Sequence, residues 1–164
     1  MTEPRVDRPH VPGYGIPKTL KGTLPWSWAQ ERLERAMVYW LATAGGDGAP
    51  HLIPIWGSWV DGHWYVEGGP TRWQRNLREN PQLAIKVDFG DEVVSVEGGA
   101  REIVKPDPDL AARILAGYEK YRPGYVADPS NWDAGGLWEL TPRKAFAWSV
   151  FPDDMTRFTF AQEA

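Results

Sequence analysis

Residues 67–81 read EGGPTRWQRNLRENP: two glycines, a proline and a threonine precede arginines spaced three residues apart. Thr71 with Gln74 three positions on forms a capping-box pattern, and Asn80-Pro81 closes the segment, so the pattern predicts a helix of about nine residues. A helix start carries unpaired N–H groups and a partial positive charge, and both attract anions. Gly68 and Gly69 let a backbone approach a ligand closely, and Thr71 offers a hydroxyl. Arg72, Arg75 and Arg78 stay within one broad face, with Arg72 and Arg75 nearest the helix start. An arginine fork matches phosphate oxygens. The implied chemistry is phosphate recognition; the alternative is a solvated face that pairs with Glu79 or other carboxylates.

Other candidates are weaker. His10, His51 and His63 have no metal-ligand spacing among themselves, and cysteine is absent, so no metal site is expected. The Gly-Gly-Asp-Gly run at 45–48 is a hairpin turn and not a nucleotide loop, because no P-loop lysine follows. Asp88, Asp91 and Glu92 surround a turn and read as solvated charge. Arg157, in an alternating stretch near the C-terminus, could reach a partner's site. The ten tryptophans suit a core, an interface or an aromatic ligand pocket alike, since each is a large apolar plate with one N–H.

The elements that must position these residues follow from pattern. Residues 1–25 hold Pro4, Pro9, Pro12, Pro17 and Pro25 and little periodicity, which predicts an extended arm ordered only where it lies on something. Ser27 and Gln30 suggest a cap for a helix over about 27–38. YWLATA (39–44) and PHLIPIWGSWV (50–60) flank the glycine turn as a hairpin, and Asp61-Gly62 leads into a further strand, HWYVEG. Pro54 places the longer strand at an edge or a bulge, because proline cannot donate to a ladder. LAIKVDF and EVVSVEGGAREIV follow the arginine helix, then an amphipathic helix over 107–120 and a looser stretch containing DPSNWDAGG. LWELTP, KAFAWSVF and TRFTF close the chain as strands. Tight turns between strands imply an antiparallel sheet, and about six strands with few helices favour a closed or partly closed barrel in one domain over 26–164.

The totals bound the function. The chain has 164 residues and a formal net charge of −4, with a pI near 5.4. That balance argues against a general nucleic-acid binder, which needs a basic surface. No apolar run is long enough to span a membrane, and no signal-peptide core stands behind a basic start, so a cytoplasmic protein is expected.

The succession YWLATAGGDGAPHLIPIWGSWVDGHWYVEGG, RNLRENPQLAIKV and VVSVEGGA, with a weaker return in LTPRKAFAWSVFPDDMTRFTF, resembles the pyridoxamine 5'-phosphate oxidase-like family of flavin-binding split barrels. The resemblance implies a mainly β fold: a six-stranded antiparallel split barrel with short flanking helices. It also implies a homodimer with a flavin-type cofactor, FMN, at each end of the interface. On that resemblance His51, Leu52, Ile53, Pro54, Ile55 and Trp56 would line the isoalloxazine, largely through backbone groups. Val66 and Glu67 would lie near the ribityl–phosphate region, and Thr71 and Arg72 match the phosphate-binding pair at the short helix. Arg75 with Asn76 matches a basic-Asn pair, and Ser95 matches a polar position facing the ring. Two residues depart from the pattern. Trp73 stands where many relatives have lysine, and would stack on a ring or pack. Glu67 stands where threonine is usual, and a carboxylate beside a phosphate is unfavourable unless an arginine lies between. Some relatives use the deazaflavin coenzyme F-420.

The function expected is an FMN-binding oxidoreductase with a small-molecule substrate. An F-420-dependent reductase and a non-catalytic flavin-binding protein are the alternatives. No catalytic side chain is named, because the cofactor performs the hydride chemistry in such a site.

Overall fold

The computed structural model describes residues 3–161. Residues 1–2 of the expected arm and 162–164 of the expected domain lie outside the described residues. In chain order the elements are β1 (Arg5–Asp7), α1 (Trp26–Arg35), β2 (Tyr39–Ala44), β3 (Pro50–Ile55), β4 (Ser58–Val60), β5 (His63–Glu67), α2 (Arg72–Glu79), β6 (Gln82–Phe89), β7 (Glu92–Ile103), α3 (Pro108–Tyr118), β8 (Leu137–Trp148) and β9 (Thr156–Thr159). Short 3-10 turns lie at Glu119–Tyr121 and Pro129–Trp132.

All pairings are antiparallel, as the tight turns require. The path runs β3-β2-β6-β7-β8. The first part of β8 pairs β5, and the last part pairs β9. Six longer strands (β2, β3, β5, β6, β7 and β8) make the split barrel, and the short β1, β4 and β9 extend it. β3 pairs β2 alone among the described residues, so Pro50 and Pro54 sit on an edge strand that needs no donor from them. Between Glu97 and Gly98 the β7–β8 register shifts. A side chain at Gly98 would run into the Thr141 carbonyl, so the close approach there requires glycine.

Tryptophan fills the barrel. Trp26, Trp59, Trp64, Trp73 and Trp138 are buried in one cluster with Tyr39, Leu41, Val96 and Phe158. Rings of this size each remove 150–250 Å² from water, on the order of 4 kcal/mol of gross transfer free energy. A second, smaller cluster joins Tyr65, Ile114, Tyr118, Tyr121, Trp132 and Leu137 beneath α3 and the loop that follows it.

Several local expectations are corrected. The 50–60 stretch is two strands, because Gly57 lies against the buried Trp64 indole and the chain turns there. The expected strands LWELTP and KAFAWSVF are one continuous strand, β8. α1 starts at Trp26 after Pro25, with no side-chain cap from Ser27, and ends at Arg35. Asp107 does cap α3, accepting from the Leu110 amide at 2.9 Å. In the proline-rich segment, β1 pairs β9, and Asp7 takes a two-bond ion pair from Arg157 (2.6 and 3.0 Å). Arg157 is thereby committed within its own chain. Arg8 donates to the carbonyls of Thr19, Lys21, Asp153 and Met155, which fastens the same segment to the turn before β9. Glu92, read as solvated, is held by the buried Arg32 at 2.9 Å.

The break at Gly57 leaves an amide and a carbonyl outside any ladder, and Tyr121 satisfies both. Its hydroxyl accepts from the Gly57 N–H at 3.0 Å and donates to the Gly57 carbonyl at 2.9 Å. Burial pushes the Tyr121 phenol up to about 12. Tyr121→Phe strands two buried backbone groups and should cost about 1–3 kcal/mol. Gly57→Ala forces the Trp64 indole to move and should cost at least as much, about 1–3 kcal/mol for overpacking. Urea denaturation of both variants checks this, and parent-like midpoints would contradict it.

Candidate cofactor and ligand site

α2 begins at Arg72, with Thr71 as its N-terminal flanking residue in extended conformation. The expected capping box does not form. The Thr71 hydroxyl makes no capping bond, and Gln74 instead donates to the Gly68 carbonyl at 2.6 Å. Gln74 therefore ties the helix to the glycine loop ahead of it and leaves the Thr71 hydroxyl uncommitted among the described residues. Gly68 is needed for a second reason: a Cβ there would sit 3.1 Å from the Trp73 ring. Gly69 faces open space.

The three arginines divide. Arg78 pairs Glu102 at 3.1 Å, and Glu102 also accepts from the Gly136 amide, so Arg78 is structural. Both neighbours hold Glu102 below the usual carboxylate range against the opposing effect of its burial. The side chains of Arg72 and Arg75 are exposed and make no ion pair or hydrogen bond among the described residues. Cations with no counter-charge beside an open helix start leave an anion-shaped gap in the electrostatics. Asn76 is buried and donates to Thr43 at 3.0 Å, while Glu79 accepts from the Gly46 amide at 2.8 Å. These two contacts dock α2 on the β2–β3 hairpin and fix where the arginines stand.

Of the two readings of Trp73, stacking on a ring or packing, the structure shows packing. Trp73 is 2% exposed and meets Trp138 edge-on, with ring centroids 6.3 Å apart. Val66 is likewise fully buried in the barrel. In β3, His51, Ile53 and Ile55 are half-buried, and Leu52 and Pro54 are exposed on the opposite face. Ile53 and Ile55 pack on the core.

Glu67 ends β5 and faces two adjoining clefts. One, of about 340 Å³, is lined by Pro54, Ile55, Trp56, Glu67, Tyr118 and Tyr125. The other, of about 470 Å³, shares Glu67 and Tyr125 and continues along Gly68 and Gly69 to Trp132 and Gly136. The Trp132 indole N–H donates to the Glu67 carboxylate. Glu67 is thus turned toward the segment after α3, away from any contact with Arg72. Desolvation raises its pKa, opposed by the Trp132 bond.

The structure thus gathers Pro54, Ile55, Trp56 and Glu67 around one cleft, with Gly68 and Gly69 beside it. Ser95 is not among them. The register Pro54–Trp40–Lys86–Ser95 puts it three strands away across the sheet's outer face, about 14 Å. There Ser95 lines a separate hollow of about 330 Å³ with Trp40, Ala42, Leu52, Ala84 and Lys86. Sequence reasoning missed Tyr118, Tyr125 and Trp132. Tyr118 was read as part of the apolar stripe of the 107–120 helix, and the signal for Tyr125 and Trp132 was the aromatic and glycine content of the looser stretch after it. Among the described residues no group of His, Cys, Asp and Glu is arranged to hold a metal, and no helix is long and apolar enough to cross a membrane.

An antiparallel split barrel with a glycine-led helix start beside its open edge is a recognisable class. The family model for pyridoxamine 5'-phosphate oxidase matches residues 28–149, and the chain belongs to that family. Among solved structures, the fold is similar to a conserved hypothetical protein of Mycobacterium tuberculosis (23% identity, TM-score 0.63, covering 77% of this chain and 85% of that one). It is also similar to an F-420 reductase (24% identity, TM-score 0.56, 71% and 94% covered). A third likeness is to a FAD-binding protein of Mesorhizobium loti (19% identity, TM-score 0.59, 84% and 96% covered). No functionally curated protein matches the chain significantly.

The raised pKa of Glu67 has a consequence for stability. The folded state holds the Glu67 proton more tightly than the unfolded chain does. Its contribution to stability therefore falls as pH rises from the ordinary glutamate value through the raised one. Glu67→Gln keeps an acceptor for Trp132 and removes the charge. Its melting temperature should exceed the parent's at pH 7–8, and the difference should vanish below about pH 4. Melting curves across pH measure this; a variant less stable than the parent at pH 8 would contradict it.

Proposed function

We propose that the chain is an FMN-binding oxidoreductase for a small-molecule substrate, working as a homodimer. One observation carries the cofactor reading. Arg72 and Arg75 stand without counter-charges at a helix start whose Thr71 hydroxyl is not used for capping. A phosphate fits those residues: the hydroxyl and the first amides of α2 donate to its oxygens, and the guanidinium supplies the fork. Glu67, which would repel a phosphate, is held by Trp132 instead. The isoalloxazine is assigned to the free edge of β3, where the Leu52 N–H, in phase with Pro50 and Pro54, faces out and can donate to it, while the alternate amides of His51, Ile53 and Ile55 face β2. When bound, the flavin supplies the hydride chemistry. The chain's own residues orient it and exclude water.

The dimer reading is supported by the outer sheet face. Trp40 and Leu52 are 40% and 61% exposed there, next to Ala42 and Ala84. An apolar stripe of this kind suits a self-complementary two-fold interface. In such a dimer Ser95 and Lys86, on that same face, would meet the partner rather than their own Glu67 cleft.

Titration by flavin fluorescence quenching tests the cofactor. Arg72→Ala should weaken FMN binding by one to two powers of ten, as charge-assisted bonds of roughly 1.5–3 kcal/mol imply. Arg78→Ala should do much less. Riboflavin, lacking the phosphate, should bind weakly and be insensitive to Arg72→Ala. Coenzyme F-420 also carries a phosphate, and its titration alongside decides between the two cofactors. Parent-like affinity of Arg72→Ala for both would overturn the phosphate seat. Light scattering should give about twice the 18.5 kDa chain mass. Leu52→Glu should halve that value, and a parent that is monomeric at micromolar concentration would overturn the dimer.

A further inference from the structure

We propose that the cleft at Glu67 binds a quaternary ammonium ligand, with Glu67 as its counter-charge and aromatic rings as its walls. The Glu67 carboxylate has one hydrogen-bonding partner, the Trp132 indole, and no Lys, Arg or His within ion-pair distance among the described residues. It lines both clefts, so it is not sealed in the core. A half-buried carboxylate without a cation is costly unless something positive reaches it.

The surroundings say what kind of cation fits. Trp56 is 43% exposed, stacked on Tyr121 at 4.8 Å and met edge-on by Tyr125 at 5.6 Å. Tyr118 lies 5.7 Å from both Tyr121 and Tyr125. Trp56 and Tyr125 give the cleft wall its accessible rings, beside Pro54, Ile55 and one carboxylate, Glu67. A strongly hydrated ammonium such as a lysine head would find few acceptors here. A weakly hydrated cation clothed in methyl groups gains from ring faces and from the charge together. A volume of about 340 Å³ lies within the range of small-molecule sites.

Binding of the cation does not need the cofactor. Describing the ligand as a substrate does rest on the flavin reading, since the cleft shares Pro54, Ile55 and Trp56 with the β3 segment assigned to the ring.

Calorimetric titration with choline and with its neutral isostere 3,3-dimethyl-1-butanol tests the proposal, on the protein with and without FMN. Choline should bind at least tenfold more tightly than the alcohol. Glu67→Gln, which keeps the Trp132 bond, should abolish that preference. Trp56→Leu should lower choline affinity about tenfold, and Trp56→Phe, which keeps a ring over Tyr121, should restore most of it. Equal affinity for the two probes, no choline binding at 10 mM, or a preference retained in Glu67→Gln would each overturn the proposal. A protein that binds FMN normally yet fails these tests loses only the cation site. One that prefers choline yet binds no FMN loses only the cofactor reading.

Discussion

The site depends on one backbone constraint, the break at Gly57. The Trp64 indole is fully buried and lies where a side chain at residue 57 would go, so the strand that begins at Pro50 cannot run on to Val60. The break frees a buried amide and carbonyl, and a polar group must be brought to them. Tyr121 is that group. Its two bonds to Gly57 draw the end of α3 and the following turn against β3, which places Tyr118, Tyr125 and Trp132 opposite Glu67. Lys120 adds a second anchor, donating to the Glu34 carbonyl and the Tyr39 hydroxyl at 2.9 and 3.1 Å. Burial draws that amine down to about 8. The cleft is a by-product of satisfying a broken strand.

Charge is partitioned on the two sides of the Gly68-Gly69 loop. On one side, Arg72 and Arg75 stand uncompensated at an open helix start; on the other, an unpaired carboxylate stands among rings. Gln74 and Gly136 fix the loop between them, through bonds to the carbonyl and amide of Gly68. The cationic helix start and the carboxylate therefore stand a few residues apart without neutralising each other. Glu67 points to the Trp132 side of the loop, so it does not oppose an anion at the proposed phosphate seat.

Much of this was legible in the sequence where a pattern has one physical meaning. Pro54 pointed to an edge or a bulge, Asp61-Gly62 to a tight turn, the 107–120 pattern to a helix, and Asn80-Pro81 to the end of the arginine helix. The succession of strands was enough to suggest the family. Illegible were features set by tertiary contact. Nothing local distinguishes Arg78, which has Glu102 as a partner, from Arg72, which has none among the described residues. Trp73 could not be told from a ligand-stacking ring until Trp138 and Gly68 were seen around it. Gln74 satisfies a capping pattern yet bonds elsewhere, because Gly68 offers a closer acceptor. Ser95 was assigned to the ring-facing side of the same site as Glu67, but the sheet register carries it to the outer face, three strands from Pro54. The aromatic segment 118–136 has no periodicity, so its role emerges only from its packing.

The most direct measurement is a crystal structure of the protein grown with FMN. Phosphate oxygens should lie about 2.7–3.2 Å from the Thr71 hydroxyl, the first amides of α2 and the Arg72 guanidinium. The isoalloxazine should run along the free edge of β3, with Glu67 still bonded to Trp132. A phosphate bound elsewhere, or Arg72 left in solvent beside a fully occupied flavin, would contradict it.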